Sequence, residues 1–405
     1  MQVEIIKMDD LGRGIGYLNN KIIFIPKTLI GDIVNVNIIV DKKKYSIGKV
    51  VSYIKKSNDY INPICPYFEK CGGCSYLNIN YNKAFDIKIN NYKNKLLKNN
   101  IICDIEVIKS DNIYNYRNKI TLKIKDGNIG YYEEGTNNIV CINKCIIAND
   151  TINNFIPNIN KLNIKNGEIV IRCNYKNELL IILKTLDKVN INNLIYDNVV
   201  GIVLNNECIY GNNHFVDKIN NLLFEVSYNS FFQVNPYITS ELFNVVNKYI
   251  DKTDDVLDLY CGVGTLSLNA SINANSVYGI EIIKNAIDNA SKNKILNNIS
   301  NAIFKVEDLS KSKNFKYKFN TLIVDPPRSG IDKSVMDIIN DKKPEKVIYV
   351  SCDKNTFIRD INILKNYYNI NKIYMFDMFS NTYHVECVVT LYRKNSRKAL
   401  YNKGL

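Results

Sequence analysis

Short runs of apolar and β-branched residues open the chain. IIFIPKTL, DIVNVNIIV and SIGKVVSYI are separated by the turn-forming stretches GRGIG, Gly31-Asp32 and DKKKYS. About five such strands predict a compact barrel of the OB type over residues 1–57. A cysteine-rich segment, CPYFEKCGGC, comes next, and a helix is expected over residues 80–99. Residues 105–225 carry mixed strand-like runs such as NKITLKI, EIVIRC and ELLIILKTL, with no visible repeat. The pattern changes near residue 226, where VLDLYC, VYGIE, IFKVED, TLIVDPP and KVIYVSC alternate with helical stretches. Such alternation predicts a parallel sheet with crossover helices. KIYMFDMF and VECVVTLYR, joined by a short polar turn, predict a closing antiparallel pair. The expectation is an α/β protein in three units: a barrel over 1–57, a mixed α+β unit over 58–225, and a Rossmann-like domain over 226–405.

Charge adds a partner class. The formal net charge is +13, spread along the sequence and not gathered in one tail, so folded surfaces should attract polyanions. Lys42, Lys43 and Lys44 fall on one barrel hairpin, where they read either as a nucleic-acid-facing patch or as a solvated turn. The start of the chain lacks the pattern of a signal peptide, and no run approaches the ~20 apolar residues of a membrane span. A cytoplasmic protein with no membrane partner, and no obligate protein partner, is expected. The chain's 11 cysteines are then read as metal ligands, a nucleophile and small buried hydrophobes rather than disulfides. The heavy use of Asn, Ile and Lys reads as base composition and carries no functional conclusion.

Candidate chemistry gathers at the carboxyl ends of the C-terminal strands. VLDLYCGVG runs from a buried strand into a glycine turn, and Glu281 ends the next strand, placed to grip ribose hydroxyls. Asp308 ends the third strand, near where an adenine ring would lie. Ser267 stands where a dinucleotide fingerprint has its third glycine, which favours S-adenosylmethionine over NAD. Asp325-Pro326-Pro327-Arg328 follows the fourth strand; an arginine after the prolines, and no adjacent cysteine, point away from amino-group and one class of cytosine-5 methyltransferases. Cys352 ends the fifth strand and is placed to react. A thiolate adding to uracil carbon 6 makes carbon 5 nucleophilic, and a base must later remove the carbon-5 proton. Glu386, inside an apolar strand, is the candidate base; its other reading is an ion pair with a neighbouring Lys or Arg. Cys65, Cys71 and Cys74 lie within ten residues and suit an iron–sulfur cluster or zinc, with a fourth ligand from among Cys103, Cys141 and Cys145.

Taken together, these segments resemble the bacterial RNA 5-methyluridine methyltransferases that act on 23S ribosomal RNA, over nearly the whole chain. The resemblance runs in order through GRGIGYLNNKIIFIPKTLIGD, CPYFEKCGGC, SFFQVNP, LDLYCGVG, DPPRSG, VSCDKNTFIRD and DMFSNTYHVECVV. It implies a TRAM barrel, a class I methyltransferase domain, a 4Fe–4S cluster on Cys65, Cys71, Cys74 and (through NKCII) Cys145, and an RNA partner, with tRNA as the alternative substrate. It also implies cofactor contacts from Gln233, Tyr260, Glu281, Asp308 and Asp325, with Cys352 as nucleophile and Glu386 as base. Phe231 and Arg328 would face the flipped nucleotide. The chain departs from the family at Asp353-Lys354, where S-C-N-P is usual, and at Ser380, where a proline is common; both new residues after Cys352 suit a helix start.

Overall fold

The computed structural model describes residues 1–159, 161–311 and 316–394; residues 395–405 of the expected third unit lie outside this range. Six strands form the first unit: Gln2–Glu4, Lys7–Met8, Arg13–Leu18, Lys21–Pro26, Ile33–Asp41 and Tyr45–Lys55. Residues 2–8 pair with the fifth strand at one end and the third at the other, so the sheet closes around Val3, Ile5, Ile23, Ile25, Val34 and Val36. Asn19 and Asn20, both at positive φ (50° and 63°), make the two-residue turn between the third and fourth strands. Lys42, Lys43 and Lys44 are exposed in the turn between the last two. Lys27 ties the barrel to the rest, donating to the Cys71 carbonyl at 2.7 Å and pairing with Glu134 at 3.1 Å.

The middle unit is a seven-stranded sheet running from Ile139–Cys141 at one edge to Glu207–Gly211 at the other. Helix Asp150–Ile159 covers it through Ile152, Phe155, Ile156 and Ile159. A hairpin, His214–Ile219 with Leu222–Ser227, then leads to the C-terminal sheet.

That sheet has eight strands: β1 (Asp104–Ile108), β2 (Asp255–Leu259), β3 (Ser276–Glu281), β4 (Ala302–Val306), β5 (Thr321–Val324), β6 (Lys346–Ser351), β7 (Tyr368–Phe376) and β8 (Glu386–Arg393). Their order is β4-β3-β2-β5-β6-β8-β7-β1, parallel except where β8 inserts antiparallel between β6 and β7. The central strands β2, β5, β6 and β8 are rich in Val, Ile and Leu and buried, as a sheet covered on both faces requires.

Two elements from within residues 58–225 belong to this layer rather than to the middle unit. Helix Tyr81–Lys98 packs Phe85, Ile89, Tyr92 and Leu96 into the core shared by β2, β5, β6 and β8, and β1 covers the open edge of β7. Pairing across so long a stretch of chain leaves no local pattern, so the expected boundary at residue 226 is interleaved in space.

Asparagine has a structural task here. Asn289, Asn293 and Asn297, on helix Lys284–Leu296 and its C-cap, accept from the backbone N–H groups of Ser227, Glu225 and Leu223 at 3.4, 2.6 and 2.8 Å. The match is geometric: four helical residues rise about 6 Å, close to two residues of strand. The free strand edge is thereby covered by side-chain amides.

A buried cation organises the loop between β7 and β8. Lys88, on helix Tyr81–Lys98, pairs with Asp377; their side chains are 3% and 0% exposed. Lys88 also donates to the carbonyls of Phe379, Thr382 and His384 at 3.4, 3.3 and 3.2 Å. Tyr81 and Ser380 donate to the other Asp377 oxygen at 2.5 and 2.8 Å, so the hydroxyl of Ser380 works within this network. Removing one partner leaves a buried charge unpaired, so Lys88→Ala is expected to cost about 3–5 kcal/mol. Urea denaturation measures it, and Lys88→Met with Asp377→Leu should recover most of the loss; a silent Lys88→Ala would refute the role.

Candidate active site

The ladder between β6 and β8 decides which side chains meet. Its pairs run from Lys346↔Tyr392 to Ser351↔Cys387. The next opposed positions are Cys352 and Glu386, and opposed residues of an antiparallel pair lie on one face. Nucleophile and base candidates, 34 positions apart in the sequence, are thus neighbours at the sheet rim. Asp325 reaches the same place just past β5, and Arg328 follows it, exposed to solvent.

Electrostatics tie these groups together. Burial, then the charges of Glu386 and Asp325, push the Cys352 thiol up to about 11, and Arg328 opposes them. Glu386 is 3% exposed, and burial first, then Asp325, raises its carboxyl well above the ordinary range. Burial lifts Asp325 to about 7. Among the described residues no ion pair holds Glu386, which counts against reading it as a salt-bridge partner. Downstream of Cys352, Asp353 caps helix Lys354–Leu364, accepting from the N–H groups of Asn355 and Thr356 at 2.9 and 3.0 Å. Asp353 therefore starts the helix, and Lys354 pairs with Asp10 of the barrel at 2.9 Å.

Beside this pair the chain leaves β2 through a strained turn. Tyr260 has a φ of 66°, a costly conformation for an aromatic residue, and its hydroxyl donates to Asp332 at 3.1 Å. Gly262 also has positive φ, and a Cβ there would meet nothing within 4 Å: the turn opens onto free space. Glu281 spans from β3 to this turn, accepting from Gly262 at 3.3 Å and from Ile282 and Ile283 at 2.8 and 3.0 Å.

Asp258, in the middle of VLDLYC, escaped the sequence reading. It is fully buried and pushed up to about 8, first by burial and then, among other causes, by the charges of Asp325 and Glu281. One of its oxygens accepts from Ser267 at 2.5 Å, while the other has no partner. A carboxylate in an apolar strand was the clue that singled out Glu386, and it was available here too. Asp258, Glu281, Asp325 and Glu386 together make an acidic rim that fits a ligand carrying a sulfonium and an ammonium group.

Other expected contacts lie on flanking segments. Asp308, past β4, accepts from Ser310 and pairs with Lys311, and these bonds hold its carboxyl below the usual range. Gln233 is half-buried, its carbonyl accepting from Asn118 at 3.3 Å, while Phe231 is 71% exposed.

Away from the sheet rim, Cys65, Cys71, Cys74 and Cys145 line one cavity of about 150 Å³, with Phe68, Leu77 and Tyr131. Burial raises the thiols of Cys65, Cys71 and Cys74, and their mutual proximity adds to it. The Gly73 N–H donates to the Cys71 sulfur at 3.4 Å. Among the described residues no three His, Cys, Asp or Glu side chains converge as a single metal ion needs. The thiols ring a cavity instead, an arrangement suited to a polynuclear cluster, which keeps its thiolates apart. Cys141 is exposed beside Asn128, and Cys103 packs against the core of the C-terminal layer.

Comparison with known proteins matches this geometry to one family. Residues 187–394 match the family described as tRNA (uracil-5-)-methyltransferase, and residues 1–51 match the TRAM domain. An uncharacterized RNA methyltransferase of Clostridium tetani is 34% identical, over 95% of this chain and 94% of its own. Another, from Clostridium acetobutylicum, is 33% identical over 97% and 96%. The crystal structure of Pyrococcus abyssi tRNA (uracil-54, C5)-methyltransferase in complex with S-adenosyl-L-homocysteine superposes with a TM-score of 0.79, at 25% identity, over 96% of this chain and 100% of that one.

With its thiol held near 11, Cys352 is protonated at neutral pH in the free protein. Iodoacetamide labelling of Cys352, read by mass spectrometry, should therefore rise about tenfold per pH unit from pH 7 toward 10. Arg328→Ala, which removes the opposing cation, should slow labelling at every pH in that interval. Fast, pH-independent labelling at pH 7 would contradict this electrostatic account.

Proposed function

This chain belongs to the RNA (uracil-5-)-methyltransferase family with a TRAM domain, and from that premise we propose that it methylates carbon 5 of defined uridines in 23S ribosomal RNA through a covalent adduct of Cys352. The observation that carries the mechanism is the opposed pair Cys352 and Glu386 at the end of the β6–β8 ladder, beside Asp325. The glycine turn with Tyr260, Glu281, Asp325, Gln233 and Asp308 would hold S-adenosylmethionine, which would supply an electrophilic methyl group and keep the electron pair of the broken sulfur–methyl bond as a neutral thioether.

The target uridine leaves its stack and enters the site as a neutral ring. Arg328 favours the thiolate of Cys352, whose sulfur bonds to carbon 6 and drives an electron pair to carbon 5. Carbon 5 takes the methyl group, Glu386 accepts the carbon-5 proton, and the carbon–sulfur bond breaks to return the thiolate. Burial suits Glu386 to this step, because a carboxylate of raised pKa is a better base. Cys65, Cys71, Cys74 and Cys145, which line one cavity, would hold a 4Fe–4S cluster, and the cluster would fasten the Cys65–Cys74 segment to the middle sheet.

A second reading is the same chemistry on transfer RNA. The Pyrococcus enzyme is named for tRNA uracil-54 and superposes over nearly the whole chain, barrel included, so the barrel does not separate the two substrates. Mass mapping of purified protein with unmodified 23S rRNA and, separately, tRNA decides between them. Methyl on defined 23S uridines is the expected outcome, and methyl on tRNA alone would transfer the mechanism to that substrate.

Cys352→Ala should abolish product. Glu386→Gln should instead stall after methyl transfer, leaving a protein–RNA adduct that survives denaturing electrophoresis. An adduct-free Glu386→Gln protein with normal turnover would remove Glu386 from the mechanism. Anaerobically purified protein should contain iron and acid-labile sulfide, both largely lost in Cys145→Ser; iron-free wild type would refute the cluster.

A further inference from the structure

A second recess, of about 460 Å³, lies where the middle sheet meets the start of helix Pro236–Asn247. None of the groups assigned to methyl transfer line it. Its rim carries Tyr175 and Tyr237, 45% and 52% exposed, and side-chain amides including Asn118 and Asn177 line it. Asp217 lies within it, 3% exposed. One Asp217 oxygen accepts from the N–H groups of Tyr175 and Lys218 at 3.0 and 2.9 Å; the other accepts no hydrogen bond among the described residues. The volume is that of a small-molecule site, and the lining is polar and largely uncharged.

Two residues of its wall also hold the catalytic site. Asn118 donates to the Gln233 carbonyl at 3.3 Å, and Tyr116 donates to the Ser380 carbonyl at 3.1 Å, within the loop that leads to Glu386. The recess is thus joined through its wall to the segments that carry Gln233 and lead to Glu386. Two acids, Asp217 and Asp150, outnumber the one cation of the lining, Lys218, so the recess disfavours a phosphate. A planar, neutral ring suits the two tyrosines and the amides. The open carboxylate oxygen asks for a donor: adenine, cytosine and guanine offer an amino group, whereas uracil offers one N–H flanked by two carbonyls that a carboxylate repels.

Resting on the RNA-methyltransferase reading, we propose that this recess binds a second, non-target nucleobase of the RNA, one bearing an exocyclic amino group. It stacks on Tyr175 or Tyr237 and donates to Asp217. The enzyme then grips its substrate by two bases, one for chemistry and one for register, and the second contributes to choosing the uridine.

Two experiments test this. Wild-type protein is irradiated with 23S rRNA and, separately, tRNA, and its peptides are searched for nucleotide adducts; adducts on the Tyr175 or Tyr237 peptides are expected. In a short RNA carrying the methylated uridine, each flanking nucleotide is made abasic in turn. One abasic position should weaken wild-type binding about tenfold and leave Tyr237→Ala, already weakened, unchanged. At that position Asp217→Asn should lose the preference for an amino-bearing base over uracil. Adducts elsewhere only, or equal abasic penalties in wild type and Tyr237→Ala at every position, would overturn the proposal. Adducts at the recess without methylation of any RNA would instead sink the proposed activity and keep the recess as a base site.

Discussion

The site depends on one register. β8 enters the sheet antiparallel between β6 and β7, and the pairing Ser351↔Cys387 makes Cys352 and Glu386 the next opposed residues. Side chains alternate faces along a strand, so a slip of one residue would send Glu386 to the other side of the sheet. Val350, Val388 and Val389 are buried on a sheet covered on both faces, so the register is held by close packing of side-chain shapes against both layers. The chemistry therefore borrows its precision from packing.

Much of the surrounding structure protects this arrangement. Lys88 and Asp377 carry the cost of two buried charges, and in return the β7–β8 loop is held by bonds from a helix nearly three hundred residues earlier in the chain. On the cofactor side, the amides of Asn289, Asn293 and Asn297 hold the hairpin that leads into Phe231 and Gln233. Buried polar side chains with every bond satisfied are rigid, and both networks lie where a segment carrying site residues leaves regular structure.

Charge is divided by place. The whole protein is strongly basic, which suits an anionic polymer at its surface. The rim of the sheet is the opposite: Asp258, Glu281, Asp325 and Glu386 are all acidic, and burial raises the carboxyls of Asp258, Asp325 and Glu386. A cationic cofactor and an uncharged base can enter such a rim where a phosphate cannot. The same burial that raises the Glu386 carboxyl raises the Cys352 thiol, and Arg328 opposes both shifts.

Local pattern by itself determined the alternation of strands and helices after residue 226, the barrel strands, Cys352 at a strand end and Glu386 in an apolar strand. These are properties of periodicity and of polar residues out of place, which need no knowledge of distant chain. Spacing marked Cys65, Cys71 and Cys74 but left their partner open, and only the fold brings Cys145, and neither Cys141 nor Cys103, to the same cavity. Tertiary structure alone decided that helix Tyr81–Lys98 and β1 join the C-terminal layer, that Lys88 reaches Asp377, and that the abundant asparagines bond to a strand edge. The reason is physical: a residue's own preference is set by its neighbours in sequence, whereas its partner is set by whichever long-range closure buries the most apolar surface and leaves the fewest polar groups unpaired.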